Sequence, residues 1–184
     1  MNTAKQIPLM SLKEYEATSE DEHIEVYEGI PFTMAAPSIT HQRLVTRLNY
    51  LFTNYILSNN GTCETFVAPC DVILSEHPFT IVQPDLFIIC DPSKLDKKRC
   101  NGAPDFIIEI VSPSTASNDY IQKLFFYKKY GVKEYWIIDA DRQTITVYDL
   151  VNDICNEQYT FDDKVKVGIY DDLWIDFSSL KSLL

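Results

Sequence analysis

The sequence has few of the patterns that mark common metal, nucleotide and hydrolase sites. Its five cysteines contain no CxxC pair, and its three histidines occur without HxxxH or HExxH spacing. It also lacks a GxSxG elbow, a Walker loop and a GxGxxG motif. These absences argue against a zinc site built on paired cysteines or histidines, a serine-hydrolase elbow and the common nucleotide-binding loops.

Long apolar runs are missing as well. No stretch approaches the roughly 18 apolar residues that a membrane-spanning helix needs, and the segment MNTAKQIPLMSLKEYEA has no apolar core of a signal peptide. The odd number of cysteines predicts reduced thiols and no disulfide framework. We therefore expect a cytoplasmic protein without a membrane segment.

Positive charge is scarce. The chain has 16 Lys and Arg against 27 Asp and Glu, a net charge of -11, which argues against a protein that coats nucleic acid nonspecifically. Most of the excess lies near the ends, because residues 1–30 carry -5 and residues 151–184 carry -4. The middle holds two basic clusters, Lys94–Arg99 and Lys123–Lys133. Solvated surface lysines are the ordinary explanation for either cluster alone; on a DNA-binding protein they predict weak, salt-sensitive binding.

Length and hydrophobic spacing predict a single mixed α/β domain over residues 1–184, built around one sheet. The 184 residues, 46% of them hydrophobic, suffice for a core without disulfide or metal. The predicted elements are a capping-box helix from Ser11, a hairpin around Glu28-Gly29, a long helix over 38–58, β-type runs over 63–90, a buried strand over 105–112, a helix over 117–131, and a strand pair over 134–150 turning at Ala140–Arg142.

Two acidic residues stand in strongly apolar β-type runs: Asp85 in IVQPDLFIIC and Glu109 in DFIIEIVS. An ionised carboxylate in such a place is costly unless it is paired or bound to a cation. Either acid could instead cap a strand end, lie on a solvated face or pair with a basic side chain. Asp105 is a poor partner for Glu109, because four residues of strand separate their Cα atoms by about 13 Å. Asp85 and Glu109 on neighbouring strands could converge on one cation.

The helix that follows repeats Asp119, Lys123 and Tyr127 at four-residue intervals, so that these side chains share one face. They could form an ordinary Asp–Lys helical pair worth a few tenths of a kcal/mol. Alternatively, the strand-to-helix crossover could bring Lys123 over the carboxylates. Helix spacing alone does not choose between these two accounts.

The Pro-Asp pair at 84–85, ExV at 109–111, SPST at 112–115 and the run NDYIQKLFFYKKYGVKEYWIIDADRQTITVY together resemble the Uma family of restriction endonuclease-like proteins, a branch of the PD-(D/E)XK nuclease superfamily. The resemblance extends from YEGIPFTMAAPSITHQRLVTRL through TVYDL. Its most specific part is 83–148.

The resemblance implies an α/β, restriction-endonuclease-like fold, in which a central mixed β-sheet is flanked by helices, and it assigns roles to residues. Asp85 matches the Asp of Pro-Asp, and Glu109 matches the acid of (D/E)XK. Val111 stands where the superfamily usually has its lysine, so Lys123 is the candidate for a lysine that has migrated to the adjacent helix. Glu25, in the IEVYEG run, also matches a family acid and is a candidate supporting residue.

The chemistry expected of these residues is hydrolysis of a DNA phosphodiester bond. Asp85 and Glu109 would hold Mg²⁺ or Mn²⁺, and Lys123 would orient water or stabilise the transition state. Homodimerisation would suit cleavage of both strands of a duplex. An alternative function, from a different class, is a catalytically inactive nuclease-fold module that binds nucleic acid or protein. Val111 and the negative net charge favour this alternative. A metal-independent hydrolase of small substrates finds little support.

Overall fold

A computed structural model describes residues 9–18, 23–111, 118–152 and 157–184, with side chains omitted for 118 and 119. The helices are α1 (Leu12–Tyr15), α2 (Ile39–Ser58) and α3 (Leu124–Tyr130), with 3₁₀ turns at Pro92–Lys94 and Phe177–Leu183 and a π-helical segment at Asn118–Lys123. The strands are β1 (Ile24–Tyr27), β2 (Ile30–Thr33), β3 (Glu64–Val67), β4 (Val72–Glu76), β5 (Phe79–Val82), β6 (Leu86–Ile89), β7 (Cys100–Asn101), β8 (Phe106–Val111), β9 (Glu134–Asp139), β10 (Thr144–Asp149), β11 (Glu157–Thr160), β12 (Lys164–Lys166) and β13 (Trp174–Asp176).

A six-stranded mixed sheet forms the centre of the fold, in the order β11-β10-β9-β8-β6-β3. Strands β8 and β9 are parallel, and the other neighbours are antiparallel. Both central strands are buried along their whole length, as their nearly continuous apolar sequences FIIEIV and EYWIID predict. Helix α2 packs on one face of this sheet and α3 on the other. The predicted α/β class, with helices on both faces of a central mixed sheet, is confirmed.

Five of the remaining strands form a second sheet, so the prediction of a single sheet is wrong. Its order is β2-β1-β5-β4-β7, and β12 and β13 pair separately. The hairpin predicted at Glu28-Gly29 is present as β1 and β2, but β1 pairs with β5 through Val26 and Ile81. The β4–β5 hairpin therefore belongs to a different sheet from β3 and β6. Strand periodicity identifies each strand but does not specify its partner.

Helix α2 packs against the core with the face that its sequence predicts. The Ser38 hydroxyl accepts a hydrogen bond from the backbone N–H of His41 and caps the first turn. Leu44, Leu48 and Phe52 repeat on one face and have no accessible surface. Burial of each contributes about 1.5–3 kcal/mol relative to exposure. This core contact fixes the helix on the central sheet.

The second predicted helix begins with an irregularity. Its first part, Asn118–Lys123, is π-helical, and α3 continues from there to Tyr130. Gly131 ends the helix at a φ of 91°, as expected of a left-handed C-terminal residue. Ser117, the first residue of the predicted helix, lies outside the described residues. Isolated π-helical turns are rare and often occur at functional sites.

The expectation of reduced thiols is wrong for two cysteines. Cys63 and Cys90 form a disulfide, although 27 positions separate them in sequence. The register of β3 and β6 explains the pair, because Glu64 lies opposite Ile89 and the two cysteines are the next residues outward. Cys70 and Cys100 are free thiols, and Cys155 lies outside the described residues. The cysteines therefore do not support the expectation of a reducing compartment.

None of the helices within the described ranges is both long enough and apolar enough to cross a lipid bilayer.

Candidate active site

The two acids singled out in the sequence lie opposite each other on neighbouring strands. Strands β6 and β8 are antiparallel and pair Leu86 with Ile108. Continuing this register by one residue places Asp85, just before β6, opposite Glu109 in β8. Residues that oppose each other in an antiparallel pair project to the same face of the sheet. Glu109 projects to the face that α3 covers, where Lys123 and Tyr127 contact it, and Asp85 lies beside it at the start of β6.

The carboxylate of Asp85 is contacted by groups from two different elements. Its Oδ2 atom accepts a hydrogen bond of 2.7 Å from the backbone N–H of Ile110, the residue after Glu109. Its Oδ1 atom lies 3.0 Å from Nε2 of His41 in α2. The side chain of Asp85 is 18% exposed, so this carboxylate borders solvent.

Glu109 is more deeply buried and is bound by the helix that covers it. Its Oε1 atom accepts hydrogen bonds from Nζ of Lys123 at 2.8 Å and from the hydroxyl of Tyr127 at 2.7 Å. The residue is 3% exposed, and Lys123 is 5% exposed. The four-residue spacing of Lys123 and Tyr127 thus brings both side chains to one carboxylate, and the crossover does carry Lys123 over Glu109.

Glu25 reaches the same lysine from the second sheet. Its Oε1 atom lies 3.2 Å from Nζ of Lys123 and accepts a 2.9 Å hydrogen bond from the backbone N–H of Gln83. Its Oε2 atom accepts a 2.7 Å hydrogen bond from Tyr27, two residues along β1. Each buried glutamate thus accepts a hydrogen bond from one tyrosine hydroxyl, and both glutamates contact the ammonium group of Lys123.

The electrostatics of this buried cluster favour a charged lysine. Burial alone would lower the pKa of Lys123, but the carboxylates of Glu109 and Glu25 raise that pKa well above its ordinary value. Burial, reinforced by Glu109, also raises the pKa of Tyr127 well above the value of a free phenol. At neutral pH Lys123 is therefore an ammonium group, and Tyr127 is a neutral hydrogen-bond donor.

Asp105 lies apart from the site, as its spacing along the strand indicates. It accepts a hydrogen bond of 2.8 Å from the backbone N–H of Cys90 and pairs with Lys133 at 2.7 Å. It therefore holds the start of β8 against the end of β6. The side chain of Asp119 and the SPST segment at 112–115 lie outside what the structure describes.

The two basic clusters of the sequence are largely engaged in internal contacts. Arg99 pairs with Glu16, and Lys129 pairs with Glu28, each at 2.6 Å. Other members make the contacts already described for Lys123 and Lys133. These ion pairs reduce the positive charge that the clusters offer to a polyanion. The sequence could not reveal this, because the acidic partners lie far away along the chain.

His41 is the residue at this site that sequence reasoning missed. Its ring contacts Asp85 from the first turn of α2, across 44 positions of sequence. Histidine spacing was weighed only for metal clusters, and in the part of the chain that the structure covers no group of three or more His, Cys, Asp or Glu side chains is arranged to hold a metal ion. A single histidine in a Ser-capped turn carries no sequence signal of its own.

Comparison with known proteins places the whole arrangement in a family. The chain is 26% identical over 146 residues to an uncharacterised protein of Synechocystis sp., an alignment that covers 77% of this chain and 74% of the relative. Its fold is similar to the crystal structure of a "putative nuclease belonging to DUF820" from Anabaena variabilis, with a TM-score of 0.78 and 21% identity over 95% of this chain and 98% of that one. The family model Uma2, described as "putative restriction endonuclease", matches residues 11–177, which include Glu25, Asp85, Glu109 and Lys123. The chain therefore belongs to the Uma2 family.

Proposed function

We propose that this protein is a Mg²⁺-dependent endonuclease that hydrolyses DNA phosphodiester bonds. The observation that carries the proposal is the convergence of Asp85, Glu109 and Lys123 at one point of the sheet. Asp85 is tied to the peptide that follows Glu109, and the ammonium group of Lys123 is bonded to Glu109 itself. Asp85 and Glu109 are the proposed metal ligands, and Lys123 is the proposed cationic catalytic residue.

The donor chemistry of the site suits a small, hard cation. Carboxylate oxygens are the protein ligands that Mg²⁺ and Mn²⁺ favour, and Mg²⁺ is commonly held by one or two carboxylates with water and substrate phosphate as its other ligands. Glu109 and Glu25 contact the single positive charge of Lys123, and Asp85, bonded to the peptide that follows Glu109, adds a third carboxylate. This excess of negative charge favours a further cation near Asp85, the acid that borders solvent.

When bound, the metal would lower the pKa of a coordinated water and neutralise charge that develops on the phosphate. Asp85 and Glu109 would bind the cation through their oxygens. Lys123 carries its proton and so has no lone pair to accept another; its part is to donate hydrogen bonds to a phosphate oxygen or to the attacking water. Glu25 and Tyr127 would keep the Lys123–Glu109 pair in place.

A plasmid-nicking assay tests the proposal. Supercoiled plasmid is incubated with purified wild-type protein and Mg²⁺, and conversion to nicked or linear forms is followed over time. We expect cleavage by the wild type and by Asp141→Ala, an exposed acid of the β9–β10 turn, and no cleavage by Asp85→Ala or Glu109→Ala. Cleavage that persists in Asp85→Ala would identify a contaminant and contradict the proposal.

One observation favours a second candidate function, a catalytically inactive module that binds nucleic acid or protein. Val111 takes the position of the lysine in (D/E)XK and is buried in the apolar cluster with Tyr127. No cation can act from that position. Titration with Mn²⁺ separates the candidates, because an inactive module has no reason to show a metal site that disappears in Glu109→Ala.

Two finer features belong to the same proposal. A homodimer would give two sites for the two strands of a duplex. Light scattering during gel filtration, with and without a DNA duplex, measures the molecular mass and so shows whether the protein is a dimer.

Running the plasmid assay in parallel on RNA of matched length decides between DNA and RNA as the substrate.

A further inference from the structure

His41 contacts the proposed metal ligand Asp85 from a rigid part of the fold. Its backbone N–H is bonded to the capping hydroxyl of Ser38. Leu44 and Val45, on the next turn, are buried in the core. The first turn of α2 therefore has little freedom to shift, and the imidazole is presented to Asp85 from a fixed position.

Two contacts fix the carboxylate of Asp85 without using up its oxygens. Nε2 of His41 lies 3.0 Å from Oδ1, and the backbone N–H of Ile110 donates a hydrogen bond to Oδ2. An ionised carboxylate offers about four acceptor sites on its two oxygens. Acceptor sites on both oxygens remain for a cation, while the orientation of the carboxylate is set by these two contacts.

The polar contact of the His41 ring is with Asp85 and not with a wider network. Its second ring nitrogen, Nδ1, is buried, and within the described ranges it has no hydrogen-bond partner. A histidine that served to anchor α2 to its surroundings would be expected to use both nitrogens. The contact with Asp85 is the polar interaction that the ring makes.

We propose that His41 is a positioning residue that holds the carboxylate of Asp85 in its metal-binding orientation. The proposal rests on the function proposed above. A partly exposed aspartate would otherwise rotate and be solvated, and a cation would have to order it on binding. Partners that orient metal ligands typically contribute 10- to 100-fold to metal affinity or activity.

Mn²⁺ binding measured without DNA tests the role directly. Loss of the electron paramagnetic resonance signal of free Mn²⁺ reports binding to wild type, His41→Ala and His41→Gln, with the exposed His23→Ala as matched control. We expect His41→Ala to weaken Mn²⁺ affinity about 10- to 100-fold. The amide nitrogen of glutamine can take the place of Nε2, so His41→Gln should recover most of the affinity. His23→Ala should bind like wild type.

Plasmid cleavage gives a second readout. If His41 positions a ligand, the cleavage defect of His41→Ala should shrink as Mn²⁺ is raised towards saturation, which a general loss of folding would not produce. Should His41→Ala fail to fold by circular dichroism, His41→Asn takes its place, since its shorter amide cannot reach Asp85. Equal Mn²⁺ affinity in the Asn and Gln variants would then overturn the proposal.

The outcomes separate this role from the proposed function. A Mn²⁺ site that is lost in Asp85→Ala but unchanged in His41→Ala overturns the role of His41 alone. A site that depends on His41, in a protein that cuts no plasmid, supports the positioning role and contradicts nuclease activity. Absence of any Mn²⁺ site in the wild type overturns both.

Discussion

The ammonium nitrogen of Lys123 lies 2.8 Å from Oε1 of Glu109, within a region that almost excludes solvent. The helix thus supplies the positive charge that β8 does not supply at Val111, two residues after the acid. Fourteen positions separate the pair, and the π-helical segment ends at Lys123. A lysine on the covering helix can thus contact the carboxylate of an acid in the strand below it.

Replacing Lys123 should separate catalysis from metal binding. We expect Lys123→Met to slow plasmid cleavage about 100-fold or more, the usual effect of removing one donor to a transition state. Mn²⁺ affinity should stay equal or rise, because a competing positive charge has left the carboxylates. Cleavage rates and Mn²⁺ titrations of the same preparations check both effects, with the exposed Lys98→Met as control. Wild-type cleavage by Lys123→Met would exclude Lys123 from the chemistry.

The two buried glutamates should differ in their effect on the metal. Both oxygens of Glu25 already accept hydrogen bonds, from Gln83 and Tyr27, and its Oε1 also faces Lys123. We expect Glu109→Gln to abolish Mn²⁺ binding, whereas Glu25→Gln should keep the metal and lose cleavage rate through a misplaced lysine. These matched substitutions each remove one carboxylate from Lys123. Loss of Mn²⁺ binding in both variants would make Glu25 a ligand and contradict the assignment.

The buried phenol of Tyr127 should make stability depend on alkaline pH. Its pKa is raised in the folded chain by burial and by Glu109, while the unfolded chain has the ordinary value of about 10. Above that pH the unfolded state loses the proton and the folded state retains it, so the free energy of unfolding falls as pH rises.

Comparison with Tyr127→Phe isolates this contribution. Below about pH 9 the wild type should be more stable by about 1–3 kcal/mol, because the variant removes a hydrogen bond to the buried, charged carboxylate of Glu109. The advantage should shrink above pH 10 by up to about 1.4 kcal/mol per pH unit. Urea unfolding between pH 7 and 11 measures it. A constant difference over this range would mean that the phenol titrates alike in both states.

The disulfide between Cys63 and Cys90 should stabilise the fold when it is formed. Closing a loop of 27 residues contributes roughly 3–4 kcal/mol by restricting the unfolded chain. Dithiothreitol should therefore lower the melting temperature of the wild type. The double variant Cys63→Ala/Cys90→Ala should melt at the lower temperature whether or not reductant is present. Equal melting of oxidised and reduced wild type would show that the pair is not bonded in solution.

Local patterns in the sequence predicted most of the fold. The long helix capped at Ser38, the buried strand around Glu109 and the Gly131 helix end all follow from short-range physics: apolar spacing, side-chain capping and left-handed backbone. The division of the strands into two sheets did not follow, since the pairing of Val26 with Ile81 depends on contacts between distant segments.

The same limit applies to the candidate site. Asp85 and Glu109 were identifiable because an acid in an apolar run is costly without a partner. Helix spacing left open whether Lys123 forms a helical pair with Asp119 or lies over the carboxylates. Glu25 was identifiable only through the family resemblance. His41 was missed, and so were the partners of the basic clusters, because these contacts join side chains whose separation in sequence carries no periodic signal.

The glutamates that flank Lys123 belong to different sheets: Glu25 to the five-stranded sheet and Glu109 to the six-stranded one. Neither sheet alone surrounds the ammonium group, and a buried charge left with half its partners is strongly disfavoured. The proposed catalytic lysine therefore has both of its carboxylate partners only when the two sheets are assembled together. The proposed nuclease activity would then require the complete fold, and a chain with one sheet formed would lack it.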